Sequence, residues 1–431
     1  MGIREVIFVF ITSIICLVAL VRPRIGLYGY VWYALMRPDI MAFAEAKYPF
    51  SLLLAVTTGL GTIPYIQQTL ALFKNPFSRM LLLLQIPIAT SVLFAVVPEL
   101  TYERYGIYIK MILVLLLIPI LITTESDLRT LLLVIVLSLG FVGAKFGVYG
   151  VIHGGVELAA GYGDMLADNN FVALALAMLL PLCWHCRALV SSRVMKWILL
   201  GLIGACIAGI VMSSSRGGSL SMALGLLLIF RRSKYKIGTI AVMGLFAAGA
   251  IYLVHDMYVK RMETLRVPEQ EASAESRIVH AKTALAMWRD HPILGVGFGG
   301  FNYAYLASRY MGEENTHVAH NSYLQMLVDS GIFAFLLYVG LLLYAIIWLS
   351  KSAARMRDRG TAIESIPLAI RDSLIVFAFG STFYSCQRMD IPYMFLMCAA
   401  SWYMIECGLP AVEQKDLTTE LMDTGISAVA K

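Results

Sequence analysis

The sequence predicts an all-α membrane protein that crosses the bilayer about 12 or 13 times. Hydrophobic residues make up 59% of the 431 residues and charged residues only 14%, whereas a soluble domain carries roughly 25% charged residues. Apolar runs of about 17 to 22 residues recur along nearly the whole chain, and a helix needs this length to cross about 30 Å of hydrocarbon. Because the runs lack the strict alternation of an outer-membrane β-strand, the spanning segments are predicted to be helices.

Thirteen apolar segments are predicted to span the membrane. They are, in chain order, 6–21, 25–43, 50–72, 80–97, 105–122, 128–149, 170–184, 194–212, 217–230, 237–254, 322–349, 368–384 and 392–407. Only Arg22, Pro23 and Arg24 separate the first two. An uncleaved first helix is favoured over a signal peptide, because no convincing small-residue cleavage site precedes Arg22.

Lysine and arginine residues are concentrated in alternate loops, and this asymmetry predicts the orientation of the chain. The cationic loops, expected to be cytoplasmic, are 73–79, 185–196, 231–236 and 350–360. The opposite, periplasmic side then receives 37–49, 98–104, 150–169 and the long segment 255–321. The formal net charge of +6 expresses this positive-inside bias and does not indicate binding to nucleic acid.

The domain organisation follows from these spans. Residues 1–408 are predicted to form one transmembrane domain, and residues 409–431 a disordered cytoplasmic tail. Within the periplasmic segment 255–321, the stretch 275–288 is predicted to be an amphipathic helix lying on or between the membrane helices. Its predicted apolar face contains Ile278, Ala281, Leu285 and Trp288.

A glycine-rich stretch follows this helix. The sequence from Gly295 to Gly300 formally matches the dinucleotide-binding pattern G-x-G-x-x-G. No strand precedes it and no βαβ unit surrounds it, so a turn that leads the chain back toward the bilayer is the favoured interpretation.

Polar residues with chemical potential lie at the predicted periplasmic ends of the helices. His317 and His320 precede a long apolar helix, and Arg216 follows three serines and precedes two glycines. A guanidinium presents five donors in a planar fork that matches phosphate oxygens. At 168–170, the sequence Asp-Asn-Asn is compatible both with a helix N-cap and with ligand contact, and the sequence leaves the two alternatives open.

Less specific interpretations also apply to the histidines. A single histidine at a helix start is usually a cap or a hydrogen-bond partner in the core. His317 and His320 together would supply only two ligands to a zinc ion, and the spacing fixes no third ligand, so no metal site is predicted. For His317, a supporting role or a simple loop contact is favoured.

These motifs, taken together, resemble known membrane enzymes. The relevant stretches are 215–217 (SRG), Arg277, Trp288, 291–297 (HPILGVG), 320–325 (HNSYLQ), Gly331, 143–147 (GAKFG), 154–155 (GG), 168–170 (DNN), 22–26 (RPRIG) and Trp32. In this order they resemble the O-antigen ligase and polymerase superfamily, and most closely the O-glycosylation ligases associated with exosortase A. The resemblance extends to about Gly408.

The resemblance implies a GT-C-like glycosyltransferase of the bacterial inner membrane, with its active site facing the periplasm. Its donor would be an undecaprenyl-pyrophosphate-linked glycan, and no cofactor is implied. Arg216 and Arg277 map to the arginines that bind the donor pyrophosphate, and His320 maps to the catalytic histidine. Possible supporting residues are His317, Asn321, Asn169 and Lys145.

Elementary chemistry agrees with these roles. Transfer from a pyrophosphate carrier requires an acceptor hydroxyl to lose a proton while negative charge accumulates on the leaving group. Histidine titrates near neutral pH and can accept the proton, and arginine can hold the pyrophosphate through paired hydrogen bonds. Because the arginines can neutralise this charge and the sequence shows no D-x-D-like external pair, transfer is expected to be independent of a metal ion.

Several alternatives stay open at the level of the sequence. The acceptor hydroxyl could belong to a glycolipid such as lipid A core, to another glycan, or to a protein, so ligase, polymerase and protein O-oligosaccharyltransferase are not separated. The stretches 275–276 (ES) and 37–39 (RPD) depart from the subgroup pattern and leave the acceptor open. A flippase or exporter of lipid-linked glycans is a more remote alternative, since such proteins place charges along a path through the midplane.

Overall fold

A computed structural model describes residues 2–41, 49–153, 168–233, 244, 269–311, 319–358 and 362–408. All regular secondary structure in these ranges is helical, and seven of the helices are long and apolar enough to cross a membrane. The chain is therefore an all-α polytopic membrane protein, as its composition predicts.

The main helices of the described ranges are numbered here in chain order. They are α1 (Ile3–Val21), α2 (Pro23–Met36), α3 (Phe50–Thr62), α4 (Pro76–Leu93), α5 (Glu99–Leu115), α6 (Glu125–His153), α7 (Asn169–Leu189), α8 (Arg193–Met212), α9 (Arg216–Arg232), α10 (Glu269–Asp290), α11 (Phe301–Met311), α12 (Ser322–Asp358), α13 (Ser365–Gly380) and α14 (Asp390–Glu406). Short helical turns at Pro38–Met41, Ile63–Gln68, Thr69–Lys74, Ile118–Leu121 and Ala362–Glu364 lie between them.

Twelve of the thirteen predicted spans coincide with described helices, and the predicted span 237–254 lies outside the described residues apart from residue 244. Six of the twelve, namely α2, α3, α5, α9, α13 and α14, have only 13 to 17 residues, fewer than the roughly 20 of an ordinary span. Helix α5 reaches 23 residues together with the turn that ends at Leu121. Helices α13 and α14 are buried along most of their length, so neighbouring helices rather than lipid surround them. A buried helix can end inside the membrane, because protein groups satisfy its terminal backbone.

Helix α7 forms the centre of the bundle. Every residue from Val172 to Cys183 is buried, which is typical of a helix with neighbours on all sides. Helices α6, α8, α9 and α13 pack around it. Gly147 lets α6 approach α8 closely, since a Cβ atom there would lie 2.7 Å from the carbonyl oxygen of Ala205.

One end of the bundle is rich in paired charges and is called here the cationic end. Arg355 donates to Glu406 over 2.7 Å, and Asp372 contacts both Arg371 and, over 3.0 Å, His185. Arg232 at the end of α9 interacts electrostatically with this cluster. Cationic residues from separate loops thus meet at one end, which is the arrangement that their alternation in the sequence predicts.

The segment beyond α9 builds a small core of its own at the opposite end. Helices α10 and α11 and the start of α12 enclose Ala284, Met287, Val296, Tyr303, Leu306, Ala307, Ala319 and Val328. The predicted apolar face of α10 is not the buried one: Ile278 and Leu285 are 57% and 41% exposed. The buried stripe is His280, Thr283, Ala284 and Met287. A count of apolar residues does not identify this face, because the face includes His280. The polar partner of His280 is Tyr303, which belongs to α11.

The glycine-rich stretch after α10 is a turn, as predicted, and its φ angles are positive at Gly295, Gly297, Gly299 and Gly300. It pairs with a break in α12 at Gly331, whose φ is 76° and ψ −176°. The backbone N–H of Val296 donates to Val328 O over 2.9 Å, and that of Gly297 donates to Asp329 O over 3.0 Å. The break thus frees two helix carbonyls to hold the turn.

Candidate active site

Arg216 is the first residue of α9 and is exposed. The preceding Ser215 caps the helix, because its Oγ accepts from the backbone N–H of Gly218 over 3.2 Å. Ser215 also donates to Oδ1 of Asn170 over 2.8 Å, and its Oγ lies 2.6 Å from the Tyr384 hydroxyl. Since Ser215 gives its hydrogen to Asn170, Tyr384 is the donor in the last contact. Three hydrogen bonds of Ser215 therefore fix the backbone at the start of α9, where Arg216 lies.

The two glycines after Arg216 make room for this arrangement. A Cβ atom on Gly217 would lie 2.4 Å from the Tyr384 hydroxyl, and one on Gly218 would lie 2.5 Å from Cβ of Ala173. The absence of side chains at these glycines therefore lets Tyr384 and Ala173 approach the start of α9 closely.

Tyr384 lies in the loop between α13 and α14, and this loop joins α9 to the start of α12. Ser322 Oγ donates to Tyr384 O over 2.6 Å and accepts from the backbone N–H of Cys386 over 2.9 Å. The amide of Asn321 donates to Thr382 O over 3.3 Å. The starts of α7, α9 and α12 are thereby joined through one loop.

His320 immediately precedes the N-cap of α12 and is half-buried. Its backbone is left-handed, with φ of 50°, a conformation that costs on the order of 1–3 kcal/mol in a non-glycine residue. Both neighbours are fixed: Ala319 N donates to Gln325 Oε1 over 2.8 Å, and Asn321 Oδ1 accepts from Tyr323 N and Leu324 N over 2.9 and 3.1 Å. The surrounding hydrogen bonds, rather than a helix, thus hold His320.

A second imidazole lies beside His320, and it belongs to His280 of α10. The two ring centroids are 5.9 Å apart and the planes form an angle of 73°. The Tyr303 hydroxyl donates to His280 O over 3.0 Å, so its 3.3 Å contact with His280 Nδ1 is best made with Nδ1–H as donor. In the neutral ring, Nε2 is then the acceptor. His317, the predicted neighbour, lies outside the described residues.

Arg277 lies one turn before His280 on α10 and is exposed. Burial raises the pKa of Tyr384 to about 12, while the Ser215 hydrogen bond and the positive charge of Arg277 act in the opposite direction. Arg277 is thus close enough to interact electrostatically with Tyr384, which contacts Ser215. Arg216, Arg277 and His320 consequently share one end of the bundle.

The remaining predicted residues lie in α6 and at the start of α7. Asp168 caps α7, because its Oδ1 accepts from Asn170 N and Phe171 N over 2.6 and 3.4 Å, which confirms the capping alternative for this residue. Asn169 is the first residue of α7 and is half-buried. Lys145 lies on the exposed side of α6, eight residues before the end of that helix at His153.

Two members of this cluster carry no motif in the sequence. Tyr384 falls within an apolar run that predicts helix to residue 384, whereas α13 ends at Gly380. His280 is flanked by apolar residues in the sequence, and the face of α10 opposite to it contains more apolar residues. The polar residues Ser381, Thr382 and Ser385 around Tyr384 are the available signal for the first, and the spacing from Arg277 to His280 is the signal for the second. Within the described ranges, no three His, Cys, Asp or Glu side chains group closely enough to hold a metal ion.

Comparison with known families divides the chain into two parts. Residues 200–339 match the family model described as O-antigen ligase, and residues 3–189 match a model described as a family of unknown function. No curated protein matches the chain. The first match contains Arg216, Arg277 and His320, and it supports a relation of this chain to the O-antigen ligase superfamily and glycan transfer as its general activity.

Proposed function

We propose that this protein transfers a glycan from an undecaprenyl-pyrophosphate-linked donor to an acceptor hydroxyl, without a metal ion, in the manner of O-antigen ligases. The observation that carries the proposal is the grouping of two exposed arginines and a histidine with a left-handed backbone at one end of the bundle. These three residues fall within the segment that matches the O-antigen ligase model.

Arg216 and Arg277 hold the donor pyrophosphate in this proposal. Both guanidinium side chains are exposed, and among the described residues no carboxylate forms an ion pair with either of them. Arg216 also lies at the N-terminus of α9, where the helix dipole favours negative charge. Bidentate contacts from two directions would neutralise the charge that develops on the leaving group.

His320 is the general base that accepts the proton of the acceptor hydroxyl. It is half-buried and held by fixed neighbours on both sides, so its ring can be presented to an incoming substrate with little freedom to move. A positioned base of this kind contributes roughly 10²- to 10⁴-fold to a rate. Asn321 supports it by capping α12, and we assign similar supporting roles to Asn169, Lys145 and His317.

The site faces the periplasm of a bacterial inner membrane in this proposal, and the cationic end faces the cytoplasm. The concentration of Arg and Lys at the opposite end supports this orientation. A reporter fused after Arg355 is expected to give cytoplasmic activity, and one fused at residue 271 periplasmic activity. Both reporters on the same side would refute the orientation. A GT-C-like architecture and kinship with the exosortase-associated subgroup are parts of the same proposal.

The direct test uses purified protein and an undecaprenyl-pyrophosphate-linked glycan. Loss of the donor is followed with separate acceptors, namely a lipid A core glycolipid, a second lipid-linked glycan and a serine-containing protein. Transfer to one acceptor is expected, and it should persist with a chelator present. Transfer to the glycan or the protein instead of the glycolipid would identify a polymerase or a protein O-oligosaccharyltransferase. Movement of the donor across a vesicle membrane without cleavage would refute the proposal.

A further inference from the structure

A chain of buried polar groups lies directly behind His320. Asp329 of α12 is fully buried, and its carboxylate accepts from Gln325 Nε2 over 2.8 Å, Gly299 N over 3.1 Å and Gln387 Nε2 over 3.3 Å. Arg388 is close enough to interact electrostatically with it. Burying a carboxylate costs free energy unless such partners form hydrogen bonds with it. The three donors therefore offset the desolvation of Asp329.

Gln325 connects Asp329 to the backbone that precedes His320 through hydrogen bonds. Its Nε2 donates to Asp329, which fixes the amide so that Oε1 points away from the carboxylate. That Oε1 accepts from Ala319 N over 2.8 Å and from Ser385 Oγ over 3.2 Å. Because an amide flipped by 180° would lose all three contacts, Asp329 determines which atom of Gln325 meets Ala319.

We propose that Gln325 and Asp329 are positioning residues for glycan transfer, with two arms that extend from one buried carboxylate. The first arm, through Gln325 and Ala319, holds the left-handed backbone of His320. The second arm, through Gly299 N and the glycine-rich turn, holds α10 with Arg277 and His280. This inference rests on the proposed function, because it assumes that His320 and Arg277 act on the substrates.

The two arms are expected to affect different kinetic constants, kcat for the first arm and the donor KM for the second. Gln325→Met removes the acceptor for Ala319 N with little change of volume, so kcat should fall about 10- to 10²-fold, as expected for a base displaced by about 1 Å. The KM for the donor should stay within about 2-fold of the parent. Asp329→Ala removes the acceptor oxygens of both arms, so kcat should fall and the donor KM should rise.

A double-mutant comparison distinguishes positioning from loss of structure. If Gln325 acts through His320, then Gln325→Met should cause no further loss of kcat in a His320→Ala background, whereas Asp329→Ala should still raise the donor KM there. If Gln325→Met lowered kcat by the same factor in the parent and in the His320→Ala background, the inference would be overturned. Should Gln325→Met fail to fold, Gln325→Glu keeps an oxygen for Ala319 N and is expected to transfer faster than Asp329→Ala. Slower transfer would also overturn it.

A second readout does not depend on transfer. The rate at which diethyl pyrocarbonate modifies His320, followed by mass spectrometry, should rise several-fold in Gln325→Met, which releases the backbone before His320, and should stay close to that of the parent in Gln325→Glu, which keeps an oxygen for Ala319 N. An unchanged rate in Gln325→Met would refute the first arm, even if His320→Ala proved fully active and the proposed base were wrong.

Ser352→Ala is the matched control variant. Ser352 is a fully buried residue of the same helix and accepts from Trp402 Nε1 over 2.7 Å, but it lies at the cationic end. This substitution should lower thermal stability as much as Gln325→Met while leaving kcat and the modification rate of His320 unchanged. An equal loss of kcat in Ser352→Ala would show that any buried hydrogen bond of α12 has the effect assigned to Gln325.

Discussion

Histidines with arginines nearby occur at both ends of the bundle, and the two clusters are built in opposite ways. At the cationic end, His185 is only 5% exposed and contacts Asp372, which in turn contacts Arg371. At the other end, His320 is half-buried beside His280, and Arg277 is exposed. The first cluster neutralises its own charges, whereas the second leaves an arginine facing outward.

This difference separates a structural cluster from the proposed functional one. A buried carboxylate that contacts an arginine and a histidine offsets the desolvation of these groups, and removing one partner is costly. Arginines that remain exposed at a helix start gain most of their interaction energy only when an anion arrives. The surroundings of the residues, rather than their types, therefore assign the two roles.

The largest effect on transfer is expected for His320, with His185 as the comparison. His320→Ala should lower transfer by about 10²- to 10⁴-fold, because it removes the proposed general base. His185→Ala should lower the midpoint of thermal unfolding but leave kcat per folded molecule unchanged. Both are measured with purified protein in detergent. Equal kcat values for the two variants would remove the distinction between the clusters.

A smaller loss is expected when each arginine of the site is replaced by lysine. Arg216→Lys and Arg277→Lys keep the charge but lose the planar fork, so transfer should fall about 10-fold with a higher donor KM. Raising the salt concentration should weaken donor binding further in both variants. Parent-like kinetics in both Arg→Ala variants would end the pyrophosphate assignment.

Tyr384→Phe should reduce transfer several-fold. The change removes the donor to Ser215, so Arg216 loses one of the contacts that fix its helix start. Because burial raises the pKa of Tyr384 to about 12, the phenol stays protonated through pH 10, and the parent should lose no transfer through this group below pH 11. A loss in the parent centred near pH 10 that is missing in Tyr384→Phe would contradict this.

The smallest effect on transfer is expected for Arg371→Met at the cationic end. The free energy of unfolding should fall by about 3 kcal/mol, because the substitution leaves Asp372 buried without its arginine partner. The kcat of the folded fraction should equal that of the parent. A selective loss of kcat at unchanged stability would instead link the two ends of the bundle.

The sequence predicts the helices of this protein better than it predicts the contacts between them. Apolar length identifies α4 to α8 and α12, and the motifs identify Arg216 and His320, because both signals are local. The partnership of His280 with His320 is not local, since it depends on a glycine-rich turn that bonds to a break at Gly331. Likewise, hydropathy alone treats Tyr384 as the end of a span rather than as a hydrogen-bond donor.

The break at Gly331 also has a consequence for the order in which the protein is made. The turn at 295–300 has its backbone partners at residues 328 and 329, and Ser215 meets Tyr384 only after 169 further residues. During synthesis, α9 and α10 therefore leave the ribosome well before the groups that fix them. In the proposed function, the site is complete only when the loop before α14 has formed, so we expect a nascent chain to be inert toward a glycan donor until its last helices insert.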